Sequence, residues 1–166
     1  PPLTQSIRPT NDHQPSLRLA GDIKPLEYRL ELELSPDTNT YQGRVEIDLV
    51  VQSTTRRIVL HAEKLEILTA LHSDILGYLS PEFDKQDDQL IVEYPRQLPL
   101  GNATLRFHFK GRISEVPDAL YRVNDGEHKY LFTQFEPIAA RKVFPCFDEP
   151  KFKTPFEVSI SVPNGM

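Results

Sequence analysis

Along much of this chain, apolar and charged residues alternate. Tyr28, Leu30, Leu32 and Leu34 are interleaved with Arg29, Glu31 and Glu33. A period of two places one set on each side of an extended backbone, which predicts a half-buried antiparallel strand. A turn, Ser35-Pro36-Asp37-Thr38-Asn39, follows. The alternation then returns, with Val45, Ile47, Leu49 and Val51 set against Arg44, Glu46 and Asp48. The two segments predict a hairpin. Thr104–Lys110 and Phe156–Val162 carry the same pattern. Shorter strands are predicted at Arg57–His61, Leu65–His72, Leu90–Tyr94, Ala119–Val123 and His128–Glu136, the last two joined at an Asp125-Gly126 turn signal. Residues 73–88 read as a loop. One helix is predicted, over Pro137–Val143, because proline suits the first helical position and Ala139, Ala140, Arg141 and Lys142 are good helix formers. Pro145 stops it. The sum is an all-β domain of eight or nine strands in antiparallel, sandwich-like sheets with one short helix. Residues 1–21 hold Pro1, Pro2, Pro9 and Pro15 and show no period. They read as a disordered or extended tail, with the domain over 22–166.

Composition narrows the function classes. The chain has 166 residues, of which 39% are hydrophobic, and a formal net charge of −5. No basic stripe is present, so a nucleic-acid partner is not expected. No apolar run approaches the ~20 residues of a membrane-spanning helix. Cys146 stands alone and has no internal disulfide partner. A single cysteine fits a reducing cytoplasm and leaves a periplasmic or membrane-anchored parent open. The five histidines, His13, His61, His72, His108 and His128, include no pair four apart and no His-Glu-x-x-His. With one cysteine far from any such spacing, no metal site is expected. Phosphate loops and Gly-x-Ser-x-Gly elbows are absent too. The inventory therefore holds no catalytic residues for a self-contained enzyme.

The informative stretch is Tyr130-Leu-Phe-Thr-Gln134-Phe-Glu136-Pro137. If extended, it points Phe132, Gln134 and Glu136 to one side. Glu136 directly precedes the predicted helix, whose positive N-terminal end would orient a carboxylate. A fixed carboxylate beside an amide suits recognition of a primary ammonium group through charge-assisted hydrogen bonds. The competing reading is a helix-capping glutamate on a polar edge strand. Asp148 and Glu149 are adjacent, so their side chains diverge, and a turn between prolines explains them better than acid–base work. Cys146, between Pro145 and Phe147, reads as a buried structural thiol. The histidines read as ordinary surface or core residues.

Three blocks carry a resemblance: Thr133-Gln-Phe-Glu-Pro137, Ala140-Arg-Lys-Val-Phe-Pro-Cys-Phe-Asp-Glu-Pro150 and Lys153-Thr-Pro-Phe156. With Leu120-Tyr121-Arg122, Tyr28-Arg-Leu-Glu-Leu32 and Gly43-Arg-Val-Glu-Ile47, they closely resemble the N-terminal domain of the zinc aminopeptidases related to aminopeptidase N. The resemblance covers about residues 22–166. It implies a saddle-shaped β assembly packed on a downstream, thermolysin-like catalytic domain. It also implies that Gln134 lines the pocket for the first side chain of a peptide substrate, and that Glu136 binds the free α-amino group at the peptide's N-terminus. Zinc would belong to the full-length protein, with none bound by this part. The family's Gly-Ala-Met-Glu-Asn motif, its zinc helix and its catalytic tyrosine are absent. The chain therefore reads as a piece of something larger, inactive by itself. A non-catalytic β-sandwich binding module, for protein or carbohydrate, is the alternative that the alternating strands suit equally.

Overall fold

The computed structural model describes residues 19–164. Most of the expected tail therefore lies outside the described residues. Leu19, at its end, is buried in the core, and its N–H donates to the Glu149 carboxylate.

Eleven strands are present among the described residues: β1 (Ile23–Glu33), β2 (Thr40–Val51), β3 (Arg57–His61), β4 (Glu66–Asp74), β5 (Gly77–Leu79), β6 (Glu82–Gln86), β7 (Gln89–Glu93), β8 (Gly101–Arg112), β9 (Ala119–Asp125), β10 (His128–Gln134) and β11 (Phe156–Ser161). They form a six-stranded sheet ordered β11-β1-β2-β8-β4-β5, a three-stranded sheet β3-β7-β6 and a two-stranded ribbon β10-β9. The alternating patterns of β1, β2 and β8 land as read, whereas β11 forms as a strand with both its faces exposed. Tyr28, Leu30 and Leu32 of β1, Val45, Ile47 and Leu49 of β2, and Leu105, Phe107 and Phe109 of β8 all face one core. Ile58, Leu60, Leu90 and Val92 enter that core from the three-stranded sheet, which gives the sandwich-like all-β architecture.

Three expectations are corrected. Residues 73–88 are not a loop, because they contain β5 and β6. Gly77 and Asp87 adopt left-handed backbone at the two hairpin turns, a conformation that glycine and aspartate accept more readily than other residues. The sheets are not wholly antiparallel, since β11 returns to lie parallel to β1, with Tyr28 opposite Phe156 and Leu32 opposite Ile160. The helix over Pro137–Val143 is reduced to one 3-10 turn, Ala140–Lys142. Seven residues between two prolines offer too few hydrogen bonds to offset helix nucleation.

On the solvent face of the large sheet, Arg29 donates to Glu46 and Asp48 at 2.8 Å each. Arg106 pairs with the second oxygen of Glu46, and Thr104 donates to Asp48 at 2.7 Å. This ladder ties β1, β2 and β8 together across the face that the core does not use.

Candidate functional site

The ribbon β9–β10 supplies the first part of the candidate site. Its register sets Phe132 opposite Tyr121 and Gln134 opposite Ala119. Side chains alternate, so Leu120/Thr133 and Arg122/Leu131 face one way, and Tyr121/Phe132 and Gln134 face the other, while Ala119, with φ at 59°, is buried in the core. The first set is the inner face. Leu120 is buried, Leu131 packs on the core, and Arg122 donates to the carbonyls of Pro36 and Thr38 at 2.9 and 3.1 Å. Gln134 stands on the outer face, exposed.

Pairing ends at Gln134, and Glu136 begins the turn that follows. The strand alternation that relates Phe132 to Gln134 therefore does not reach Glu136. No helix starts at Pro137, so the helix-end argument for orienting Glu136 does not hold. The Glu136–Pro137 peptide is cis. Both Gln134 and Glu136 are exposed, two residues apart at the mouth of one turn.

Residues 139–149 hold that turn in place. Ala139 N–H donates to Phe135 C=O at 2.8 Å, and Lys142 Nζ pairs with Asp118 at 2.8 Å. Arg141 is nearly buried. Its guanidinium donates to the Asp148 carboxylate at 3.0 Å, to the Asp148 carbonyl at 2.9 Å, and to Asp88. Burial opposes its charge, but Asp148 and Asp88 outweigh that and hold the Arg141 pKa above the ordinary range. His61 and Cys146 exchange backbone hydrogen bonds at 2.8 and 3.0 Å, which stitches the segment to β3. His61 Nδ1 also accepts from the Asp148 N–H at 3.2 Å. Burial first, and Arg141 second, lower the His61 pKa. Burial pushes the Cys146 thiol well above the ordinary thiol range, with Asp148 adding to the effect. A thiol in that state is a packing group, not a nucleophile.

The adjacent carboxylates diverge as expected. Asp148 serves Arg141, while Glu149 takes the Leu19 N–H and Lys151. Sequence reasoning missed Arg141, Asp88, His61 and His72 as partnered residues. His72 is fully buried, with Nε2 at 3.0 Å from Asp74 and Nδ1 at 3.3 Å from the Tyr94 hydroxyl. One signal was available. His72 and Asp74 sit two apart on a strand, in phase with buried Ala70, the spacing that places a His–Asp pair on one face.

Among the described residues, no three His, Cys, Asp or Glu side chains converge in a way that would hold a metal ion. No helix among them is long and apolar enough to cross a membrane. An apolar groove of about 450 Å3 lies on the inner side of β10, lined by Leu30, Leu32, Phe135, Phe144, Phe156 and Val158 among others. Gln134 is not among its lining residues.

An all-β sandwich with an exposed Gln-x-Glu turn, held by a clamped Arg-to-Pro block, is the class that fold and sequence define. The chain belongs to the peptidase M1 N-terminal domain family, whose model matches residues 24–166. It is similar to aminopeptidase M1-A of Oryza sativa subsp. japonica, with 33% identity over 89% of this chain and 18% of that protein. The thyrotropin-releasing hormone-degrading ectoenzyme of Homo sapiens shows 33% identity over 96% of this chain and 16% of its own length. Endoplasmic reticulum aminopeptidase 1 of Homo sapiens shows 33% over 87% and 17%. The chain thus spans about one-sixth of these relatives.

Proposed function

We propose that this domain is the substrate-recognition part of a zinc-dependent aminopeptidase that removes N-terminal residues from peptides. Glu136 binds the free α-amino group, and Gln134 borders the pocket for the first side chain. The domain alone is not catalytic, and the residues described here do not fit a zinc site. Any metal is held elsewhere in the longer polypeptide.

The observation that carries this reading is the pairing of an exposed, unengaged carboxylate with a rigid support. Neither Gln134 nor Glu136 spends its side chain on the fold, while Arg141, Asp148, His61 and Lys142 fix the backbone behind them. A carboxylate offers two acceptor oxygens to an ammonium group. Only the first residue of a peptide carries an α-ammonium, so this contact selects chain ends over internal bonds. The amide of Gln134 adds a donor and an acceptor at the border of the side-chain pocket without charge.

The test uses the full-length protein. A hydrogen bond to a charged group contributes about 1.5–3 kcal/mol, so Glu136→Ala should raise KM on aminoacyl-nitroanilides by about 10–100-fold, with a smaller loss in kcat. Gln134→Ala should change the ranking of substrates more than their common affinity. An unchanged KM in the Glu136 variant removes the amine-binding role.

A further inference from the structure

Among the described residues, Lys64, Asp87 and Ala119 are the non-glycine positions with left-handed backbone. Lys64 and Asp87 are exposed, in the connections from β3 to β4 and from β6 to β7. Ala119 differs from both. It is buried, it opens β9, and it stands opposite Gln134 in register. A residue with a Cβ resists a φ of 59°, so this conformation persists only where the surroundings enforce it. Its neighbour Asp118 is tied on both sides. Lys142 Nζ donates to the two Asp118 carboxylate oxygens at 2.8 and 3.1 Å. The Asp118 N–H donates to the Val116 carbonyl at 2.7 Å, which also accepts from the Ser114 hydroxyl at 2.8 Å. From Lys142 the ties run back to the recognition turn. The Lys142 N–H donates to the Ala139 carbonyl at 3.1 Å, and the Ala139 N–H donates to the Phe135 carbonyl at 2.8 Å. A closed circuit results, from Gln134 across the register to Ala119, through Asp118 and Lys142, and back through Ala139 to Phe135.

We propose that the Asp118–Lys142 pair positions the specificity residue: it holds Ala119 in left-handed backbone, and through Ala119 it sets where Gln134 stands beside Glu136. The inference rests on the proposed place of Gln134 at the side-chain pocket, and it adds Asp118, Ala119 and Lys142 as positioning residues behind it. Without the pair, Ala119 relaxes toward the ordinary backbone region, the end of the ribbon shifts, and the Gln134 amide moves relative to the Glu136 carboxylate. The two side chains keep 23% and 39% of their surface open. An ion pair so exposed contributes little to global stability. A displacement of about 1 Å at a site is nonetheless enough to change turnover, so the effect of the pair belongs in selectivity and not in folding.

Steady-state kinetics of the full-length protein on a series of aminoacyl-nitroanilides tests this. Asp118→Ala and Lys142→Ala should each change the ratio of kcat/KM between small and large first residues by about three- to fivefold, the size an exposed ion pair supports. Both should move it in the same direction, the double variant should match either single one, and the urea midpoints should stay nearly unchanged. Ala119→Gly, which accepts left-handed backbone without help, should restore the ratio in the Asp118→Ala background. An unmoved ratio in the single variants overturns the inference, and with a fallen urea midpoint it makes the pair structural. Opposite shifts of KM for all substrates in the two single variants also overturn it, since they would make the pair a source of charge at Glu136. So does a ratio that Ala119→Gly fails to restore. In a Gln134→Ala background Asp118→Ala should add nothing, and a further shift there overturns the route through Gln134. The two readings fail separately. An unchanged ranking in Gln134→Ala removes the pocket role itself, whereas a moved ranking there beside an unmoved one in Asp118→Ala removes only the positioning.

Discussion

At the residue scale, two positions show how tightly the fold is determined. A Cβ at position 111 would lie 2.3 Å from the ring of Tyr41, the residue directly opposite it in register. Tyr41 has nowhere to move, because its buried hydroxyl donates to the Val143 carbonyl at 2.7 Å. Gly111→Ala should therefore cost about 1–3 kcal/mol through overpacking. Gly21, where an added Cβ meets nothing within 4 Å, is the control, and Gly21→Ala should change stability by less than ~0.5 kcal/mol. Urea midpoints of the two variants check this, and equal shifts would refute it. Arg141 is the second position. Removing it leaves Asp148, beside the buried Cys146 thiol, and the more exposed Asp88 without their guanidinium partner. Arg141→Ala should cost about 1.5–3 kcal/mol, the range for hydrogen bonds to a charged group, since Arg141 is nearly buried while Asp148 and Asp88 keep contact with solvent. Arg141→Lys should recover little of it, since a point charge does not reproduce three directed guanidinium contacts. Recovery of the full midpoint by lysine would show that charge alone suffices.

At the element scale, the ribbon is a separable unit. Beyond one bridge from Ser114 to Tyr121 and the packing of Leu120 and Leu131 on the core, its polar tie to the body runs through Arg122, which holds the β1–β2 turn by the carbonyls of Pro36 and Thr38 and by Asn39 at 2.7 Å. Lys129 adds a pair with Asp37 at 2.8 Å. Arg122→Ala should speed amide exchange across residues 120–133 by about tenfold while leaving the global midpoint nearly unchanged, because local opening is independent of global unfolding. Exchange that rises equally in β2 and β8 would mean that the ribbon unfolds with the core. The same elements show what the sequence made legible. β1, β2 and β8 were readable because each buries one face, and burial of one face writes a period of two. β5 and β6 were not, since they are short edge pieces whose side chains are mostly exposed, leaving backbone pairing as their main tie. The helix over Pro137–Val143 was read from composition in a segment that tertiary contacts, not periodicity, hold in place. Gln134 was legible as an outward polar residue on a strand. The clamp of Arg141, Asp148 and His61 was not, because its members are up to 87 residues apart.

At the scale of the whole molecule, the buried charges make stability depend on pH in a defined direction. His61 and His72 both titrate below their ordinary value of 6.5, and burial is the largest cause for each. Around His61, Arg141 adds to the lowering while Asp88, Asp148 and Glu149 oppose it. Around His72, Arg96 adds to it while Asp74 opposes it. In the window between the folded pKa and 6.5, the unfolded chain binds more protons than the folded one, so unfolding becomes easier as pH falls. The carboxylates act at lower pH and in the same direction. Glu46 and Glu149 lie below their ordinary 4.5, and Asp48 and Asp74 below 3.8, because arginine, lysine, backbone N–H donors and, for Asp48, the Thr104 hydroxyl outweigh the opposing effect of burial. Their stabilisation is complete above those ordinary values and is lost as pH falls through the folded ones. The unfolding free energy from urea titrations should thus be flat just above neutrality, decline below about pH 6.5 as the histidines protonate, and decline again below about pH 4.5. Replacing both buried histidines with glutamine separates the two stages. The double variant should lose the first decline and keep the second, whatever its stability at pH 7. A first decline that survives in the double variant would assign it to groups other than His61 and His72, and the buried His72–Asp74–Tyr94 cluster would then be pH-neutral in this range.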